Sequence, residues 1–246
     1  MSKKVVIFGA TSAIAYAVAK VYAKEGAELC LVARNKERLS VLQQDLATQF
    51  DAKVITKVLD MNEIARHPAL IEDIVGQMTE LDVALIAHGT LSDQSECQSN
   101  IDTLMQEYST NCLSYLSLLT LLGNYFEKRE QGSIVAITSV AGDRGRQSNY
   151  VYGSAKAAVT TFLSGLRNRL AKKNVQVLTV KPGFVDTPMT ADIKKGVLFA
   201  QPEKVADDIV KAIEKKKNDI YTPGFWRLIM MIIKSVPEAV FKRLSL

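Results

Sequence analysis

Six short apolar runs, 4–8, 28–33, 53–58, 82–86, 133–138 and 175–181, alternate along the chain with longer stretches of helical period, and this alternation leaves few folds open. Strand-like runs separated by helices are the pattern of successive βαβ units. Several of the runs are unbroken apolar strings, such as Val5 to Phe8 and Ile134 to Ile137, and do not alternate apolar with polar. A strand that is apolar on both faces must be covered on both, which is the condition of a parallel sheet with helices on each side. Right-handed crossovers between parallel strands then give a doubly wound α/β layout, with ligands gathering at the carboxyl ends of the strands.

A chain of 246 residues with 48% hydrophobic side chains can bury one large core, so a single domain is expected. Its regular alternation occupies 1–224; 225–246 read as an apolar, helical C-terminal extension of the same domain, with Pro223 before it and Pro237 within it. Cys30, Cys97 and Cys112 are odd in number and unclustered, which argues against a disulfide framework or a metal site and for a reducing compartment. The amino terminus enters an apolar strand directly, without a signal-peptide pattern. A cytoplasmic protein is expected. A net charge of +5 and a pI near 9.0 suit an acidic substrate, a phosphorylated cofactor or an anionic surface. The basic residues are scattered and no nucleic-acid motif accompanies them, so no nucleic-acid partner is expected. No apolar run reaches the roughly 18 residues of a membrane span.

After the first run comes Gly9-Ala-Thr-Ser-Ala-Ile-Ala15, followed by a helical stretch to Gly26. Strand, tight turn and helix N-terminus in this order suit a dinucleotide, because helix amides and the positive end of the dipole meet its pyrophosphate. Gly9 supplies the turn, while Ala13 and Ala15 stand where a glycine-rich fingerprint would have glycines. The second run ends in Arg34, about 20 residues beyond the turn, where a carboxylate would grip a ribose 2′-hydroxyl. A guanidinium there suits a 2′-phosphate, with Lys36 and Arg38 adding positive field, so NADPH is expected over NADH. The plainer reading of Lys36 and Arg38 is a solvated helix start. Asp60, near the end of the third run, is expected to accept from an adenine amino group or to cap the next helix. Ala87, His88 and Gly89 end the fourth run beside the cofactor, and His88 is read as a pocket wall because His67 is the only other histidine and no metal set exists.

Tyr152 and Lys156 are four residues apart, which puts phenol and ammonium on one helix face, and Ser139 lies thirteen residues upstream of the tyrosine. A phenol titrates near 10 when unperturbed; a neighbouring cation pulls it toward neutrality and makes it a usable proton donor to a carbonyl. Together, Gly9-x-x-x-Ala13-Ile-Ala15, Ala87-His-Gly89, Asn111, Ser139, Tyr152-x-x-x-Lys156 and Pro182-Gly183-x-x-x-Thr187 resemble, in order and spacing, the short-chain dehydrogenase/reductase family. The resemblance covers nearly the whole chain and implies a Rossmann fold. It departs from the family at the two replaced glycines and at Ala-His-Gly, where Asn-Ala-Gly is usual. It implies that Tyr152 protonates a ketone oxygen that Ser139 also binds. Lys156 would lower the tyrosine pKa and hold the nicotinamide ribose, and Asn111 would hold a water leading from the lysine to solvent. The cofactor residues carried over are Gly9, Thr11, Ser12, Ala13, Ile14, Arg34, Asp60, Ala87, His88, Gly89, Tyr152, Lys156, Pro182, Gly183, Val185 and Thr187, the last reaching the carboxamide. Tyr150 is read as a pocket wall or packing residue, and 188–202, with Met189, Lys194, Lys195 and Gly196, as a mobile substrate lid.

A narrower likeness joins Ser139 through Lys156 and the tail Tyr221 to Leu244 to the decaprenylphosphoryl-2-keto-pentose reductases, which work beside a flavin oxidase partner. It implies a 2-keto sugar on a lipid phosphate, with Arg144 and Arg146 binding phosphate and the tail covering a prenyl chain. The rival readings are a 3-oxoacyl thioester or other lipid-ketone reductase and, of another class, a non-catalytic NADPH-binding sensor or scaffold. For 225–246, packing at a homo-oligomer contact or over substrate is favoured. The alternative is a bilayer surface at the inner face of the membrane, with Trp226 at headgroup level and Arg227, Lys234, Lys242 and Arg243 facing anionic lipid.

Overall fold

The computed structural model describes residues 2–191 and 194–244. Seven strands form one parallel sheet in the order β3-β2-β1-β4-β5-β6-β7. They are β1 (Lys4–Phe8), β2 (Glu28–Ala33), β3 (Val54–Val58), β4 (Val83–Ile86), β5 (Gly132–Ile137), β6 (Val175–Pro182) and β7 (Asp219–Thr222). Six match the apolar runs to within a residue at each end. β7 carries no apolar run; it is a short edge strand beginning at the exposed Asp219, and pairing with β6 creates it.

The alternating sides of β1 show why its apolar run is unbroken. Val5 and Ile7 face a core built with α1 (Ala13–Lys24), α2 (Lys36–Phe50) and α8 (Pro202–Glu214). Val6 and Phe8 face a second core under α3 (His67–Met78), α6 (Ser114–Arg129) and α7 (Tyr150–Leu170). All four strand residues are fully buried, as a sheet clad on both faces requires. The chain is a single-domain, doubly wound α/β Rossmann-like fold.

Two short helices and a π turn complete the cleft side. α4 (Gln94–Ser99) and α5 (Ile101–Tyr108) precede a single π turn, Ser109–Leu113, that runs into α6. The C-terminal extension folds as α9 (Trp226–Ser235) and α10 (Glu238–Phe241). The extension is tied to the domain by Trp226 and Met230, which pack with Val140, Phe184 and Tyr221. The segment expected as a lid holds one 3-10 turn, Pro188–Thr190, and a bridge from Val185 to Ala200; its residues 192–193 lie outside the described residues. α8 already begins at Pro202, so the segment is shorter than 188–202. Among the described residues no helix is long and apolar enough to cross a membrane, the three cysteines are free, and no group of three His, Cys, Asp or Glu lies close enough to hold a metal.

Candidate active site

A cleft of about 430 Å³ runs along the carboxyl ends of the strands, from the start of α1 to the start of α7. At its first end Gly9 has φ +77°, a conformation that side chains disfavour, and a methyl group there would come within 2.5 Å of the His88 amide. The Gly9 and Ala10 amides bond the Val32 carbonyl at 2.8 and 3.0 Å, which fixes the turn that aims α1. α1 has no side-chain cap and no acidic residue in its first turn, so its leading amides and dipole are left for a ligand. Thr11, Ser12, Ala13 and Ile14 line the cleft here. The methyl groups of Ala13 and Ala15 are accommodated, Ala15 being buried in the core under α1.

Arg34 and Arg38 line the same end. The Arg34 guanidinium is largely exposed and 3.6 Å from Asp60. Arg38, for which a solvated helix start is the plainer reading of the sequence, is exposed like Lys36, but it lines the cleft and Lys36 does not. Asp60 caps no helix: its Oδ1 accepts from the Asn62 amide in a tight turn, and the helical segments that follow begin after Glu63 and Arg66. Ala87, His88 and Gly89 border the middle of the cleft. His88 donates to or accepts from Ser114 Oγ at 2.7 Å and tilts against Tyr115, and burial holds its pKa well below the usual imidazole value.

Ser139, Tyr152 and Lys156 meet at the far end. Ser139 follows β5 and opens a 3-10 turn, its hydroxyl accepting from the Ala141 amide at 3.1 Å. Asp143, held by Lys181 at 2.7 Å and by the Tyr221 hydroxyl, pins that turn to β6 and β7. α7 starts where Gln94 accepts from the Val151 amide, so Tyr152 and Lys156 occupy its first two turns. The Lys156 Nζ bonds the Ile137 carbonyl at 3.4 Å, and lies 4.2 Å from the Tyr115 ring centre and 5.7 Å from that of Tyr152. Asn111 sits in the π turn, whose extra residue per turn shifts the helix phase, and its side chain is fully buried. A methyl group at Gly89 would lie 2.8 Å from Asn111 Oδ1 and 3.7 Å from Lys156 Nζ, so glycine is what lets that strand end pass the pair.

The electrostatics differ from the expectation of a phenol acidified by its lysine. Burial pushes Tyr152 up to about 12, with the facing Ser139 hydroxyl acting in the opposite direction. Burial also pushes Lys156 down to about 7, and Glu107 opposes that fall. The lysine therefore gives up its proton well before the phenol ionises, and its help to Tyr152 lasts only as long as it stays charged.

The remaining wall comes from the sequence after β6 and from the tail. Pro182, Gly183, Val185 and Thr187 line it, joined by Phe184, Pro188, Met189 and Thr190. The Trp226 indole lies directly against Gly183 and meets Phe184 edge-on, and Trp226 is only 3% exposed. Trp226 thus faces inward, unlike the alternative reading that set it at headgroup level; Phe225, Leu228, Met231 and Ile232 form the exposed apolar face. Tyr150 lies outside the cleft and is 44% exposed. It begins α7, two residues before Tyr152, and points away.

The two arginines read as a phosphate pair separate. Arg144 donates through Nη1 to the carbonyls of Ile233 and Val236, both at 2.6 Å, pairs with Glu238 at 3.0 Å and stacks on Phe241. It holds the tail and lines no part of the cleft. Arg146 does line the cleft; among the described residues its Nε has no hydrogen-bond partner and its Nη2 meets the Met230 sulfur at 3.5 Å. Sequence reasoning missed Tyr115, which carries the lysine, and Glu107, which holds Asn111; one turn of separation on a helix was the only available signal for the second.

The family model described as short chain dehydrogenase matches residues 3–197. An uncharacterized oxidoreductase of Mycobacterium tuberculosis is 33% identical over 98% of this chain and 96% of its own length. One from Staphylococcus epidermidis is 30% identical over 88% of this chain and 93% of its own. Among solved structures, an L-sorbose reductase of Gluconobacter frateurii, complexed with NADPH and L-sorbose, superposes with a TM-score of 0.80 at 23% identity, covering 89% of this chain and 94% of that one. An actinorhodin polyketide ketoreductase with NADPH gives 0.82 at 21%, covering 91% and 97%. The match through the cofactor turn and the Ser-Tyr-Lys wall, and the full-length likeness to the mycobacterial oxidoreductase, establish that this chain is an oxidoreductase of the short-chain dehydrogenase family.

Proposed function

We propose that the protein is an NADPH-dependent carbonyl reductase in which Tyr152 gives a proton to a ketone oxygen. The observation that carries this is the convergence of Ser139, Tyr152 and Lys156 on one end of a cleft whose other end offers the bare amides of α1. When bound, NADPH supplies the hydride to the carbonyl carbon. The residues present fit such a cofactor: Thr11, Ser12, Ala13 and Ile14 would take the pyrophosphate, and Arg34 with Arg38 the 2′-phosphate. Ala87, His88, Gly89, Pro182, Gly183, Val185 and Thr187 would wall the nicotinamide, with Lys156 on its ribose. Asp60, engaged by Arg34, would meet the adenine edge. Ser139 orients the ketone oxygen against the Tyr152 hydroxyl. Two solved relatives in fold are named with NADPH, which agrees with this choice of nucleotide. The sensor reading leaves the Ser139, Tyr152 and Lys156 convergence without a purpose.

The finer reading is a 2-keto sugar on a polyprenyl phosphate, reached with a flavin oxidase partner. Arg146 supports an anionic substrate: it is a cleft cation in no ion pair among the described residues, and the carboxylate that acts on it, Asp143, is already paired with Lys181. Phe184, Trp226 and Met230 support an apolar portion. A 3-oxoacyl thioester is the rival, since the same four residues would serve it. For partners we propose a second copy of the chain over the exposed face of α9, because the aromatic anchor a bilayer would need is turned inward. Ile232→Glu should shift the protein to smaller species in sedimentation velocity; lipid cosedimentation that is lost instead would favour the membrane.

The test is NADPH oxidation with ketosugars, their phosphates and acetoacetyl thioesters, each repeated with NADH. Turnover of a ketone with NADPH, abolished by Tyr152→Phe, is expected. Undiminished turnover in that variant would refute the reading; preference for thioesters would select the rival.

A further inference from the structure

Glu107 ends α5 and is 2% exposed. Its Oε2 accepts from the hydroxyls of Thr90 and Ser92, both at 2.7 Å, and its Oε1 from the Asn111 amide nitrogen at 2.8 Å. All three partners are neutral donors, so this is a buried carboxylate whose charge is left facing its surroundings. The Asn111 nitrogen also donates to the backbone carbonyls of Thr90 and Glu107. With the nitrogen committed to acceptors, Oδ1 must face the opposite way, toward the Thr90 amide and the Gly89 edge where Lys156 Nζ lies. A flipped amide would set a carbonyl against the Glu107 carboxylate and an NH₂ against the Thr90 amide, both unfavourable.

Every other group around Lys156 is neutral near pH 7. Tyr115 and Tyr152 present phenols held up by burial, Cys112 a thiol held up by burial, His88 an imidazole held neutral, and Ile137 a carbonyl. Facing Glu107 itself are the hydroxyls named above and Cys97 on α4, whose thiol the carboxylate also raises. Glu107 is therefore the negative charge available to a lysine that burial drives toward neutrality.

We propose that Glu107 is a positioning residue for the reaction assigned to Tyr152: it fixes which way the Asn111 amide faces and keeps the proton on Lys156 through its field. The inference rests on the reductase reading. Proton donation from Tyr152 leaves a phenolate, and a charged lysine stabilises that phenolate where a neutral one does not.

The test compares wild type, Glu107→Gln and Glu107→Asp in ketone reduction from about pH 5 to 10, with NADPH affinity measured by fluorescence. A lysine with a lowered pKa is charged below that value and neutral above it, so activity should fall on the alkaline side. Glu107→Gln removes the charge and should move this limb about one pH unit lower, the effect of an opposing charge at close range. NADPH affinity should stay within about twofold, a change well under the tenfold step of 1.4 kcal/mol. An alkaline limb that coincides with wild type overturns the proposal. Should Glu107→Gln fail to fold, Glu107→Asp decides: its shorter arm keeps charge and drops Asn111, so lower kcat on an unmoved limb supports the proposal and wild-type kcat overturns it. Tyr152→Phe in the same series separates the two readings. If that variant turns over, the reductase reading falls; if it is inactive while Glu107→Gln follows wild type, only the role of Glu107 falls.

Discussion

The two ends of the cleft are built by different means. At the nucleotide end the walls are strand ends and the first turns of helices, and backbone bonds such as Gly9 and Ala10 to Val32 set their positions. At the substrate end the walls are Phe184, Met189, Arg146 and, behind them, Trp226, carried on 3-10 turns, bridges and a tail. Side chains secure this second end: Arg144 on the carbonyls of Ile233 and Val236, Asp143 between Lys181 and Tyr221, Trp226 against Gly183. A wall set by backbone ladders tolerates change in its side chains, because they seldom decide where it stands. A wall set by single contacts can be moved by one substitution, which is how one frame can serve different substrates.

That contrast predicts that damage at one end stays there. The largest effect belongs to the donor: Tyr152→Phe should lower kcat by about 10² to 10⁴, the usual worth of positioned proton transfer, with NADPH affinity unchanged. Turnover near wild type would remove the phenol from the chemistry. Next is Arg34→Asp, which sets a carboxylate beside Asp60 where the 2′-phosphate would bind. Losing one charge-assisted contact of about 1.5–3 kcal/mol should raise the NADPH dissociation constant by about 10- to 100-fold and spare NADH. Equal losses for both nucleotides, or none, would break the assignment. Trp226→Ala should act chiefly at the other end, because the indole reaches the nicotinamide wall only through the backbone of Gly183, and should raise the KM of the ketone about tenfold through the loss of a buried aromatic wall worth a few kcal/mol. Nucleotide affinity measured by fluorescence should not follow it, and a parallel rise in both would mean the ends are not separable.

The same contrast explains what could be read from the residues alone. Strands buried on both faces announce themselves as apolar runs, so six of seven were legible; β7 begins at an exposed Asp219 and borrows its order from β6. Gly9, Ser139, Tyr152 and Lys156 were legible because each must stand at a fixed spacing from a strand end or on one helix face. Glu107 and Tyr115 were not, because a π turn lies between them and shifts the phase on which a 3.6-residue count depends. The direction of Trp226 was left open for a related reason. An amphipathic period shows that α9 has two apolar-to-polar borders, but Leu228, Met231 and Ile232 on the exposed side are as apolar as Trp226 and Met230 on the buried one. Arg144 and Arg146 differ by two residues in an irregular stretch, where no period assigns a direction; one is held by the carbonyls of the tail, and the other faces the cleft with a single contact to the Met230 sulfur.

Arg144 gives the smallest and most discriminating effect, since it touches neither end of the cleft and acts only through the tail. The carbonyls it holds belong to the last turn of α9 and the residue beyond it; that of Ile233 has otherwise only a long bond from the Val236 amide, at 3.4 Å. Arg144→Ala removes a donor from both beneath a guanidinium-sized gap, at a cost of about 1–3 kcal/mol, and also removes the stack on Phe241. Arg144→Lys should rescue little, because a single ammonium cannot span two carbonyls and a carboxylate as a planar fork does. Limited proteolysis should then cut the tail faster, and the ketone KM should rise about two- to fivefold, an effect under 1 kcal/mol transmitted through Trp226. Nucleotide affinity and the pH profile should be those of wild type. If cleavage quickens while KM holds still, the tail is only a prop for the fold, and the substrate wall ends at Phe184.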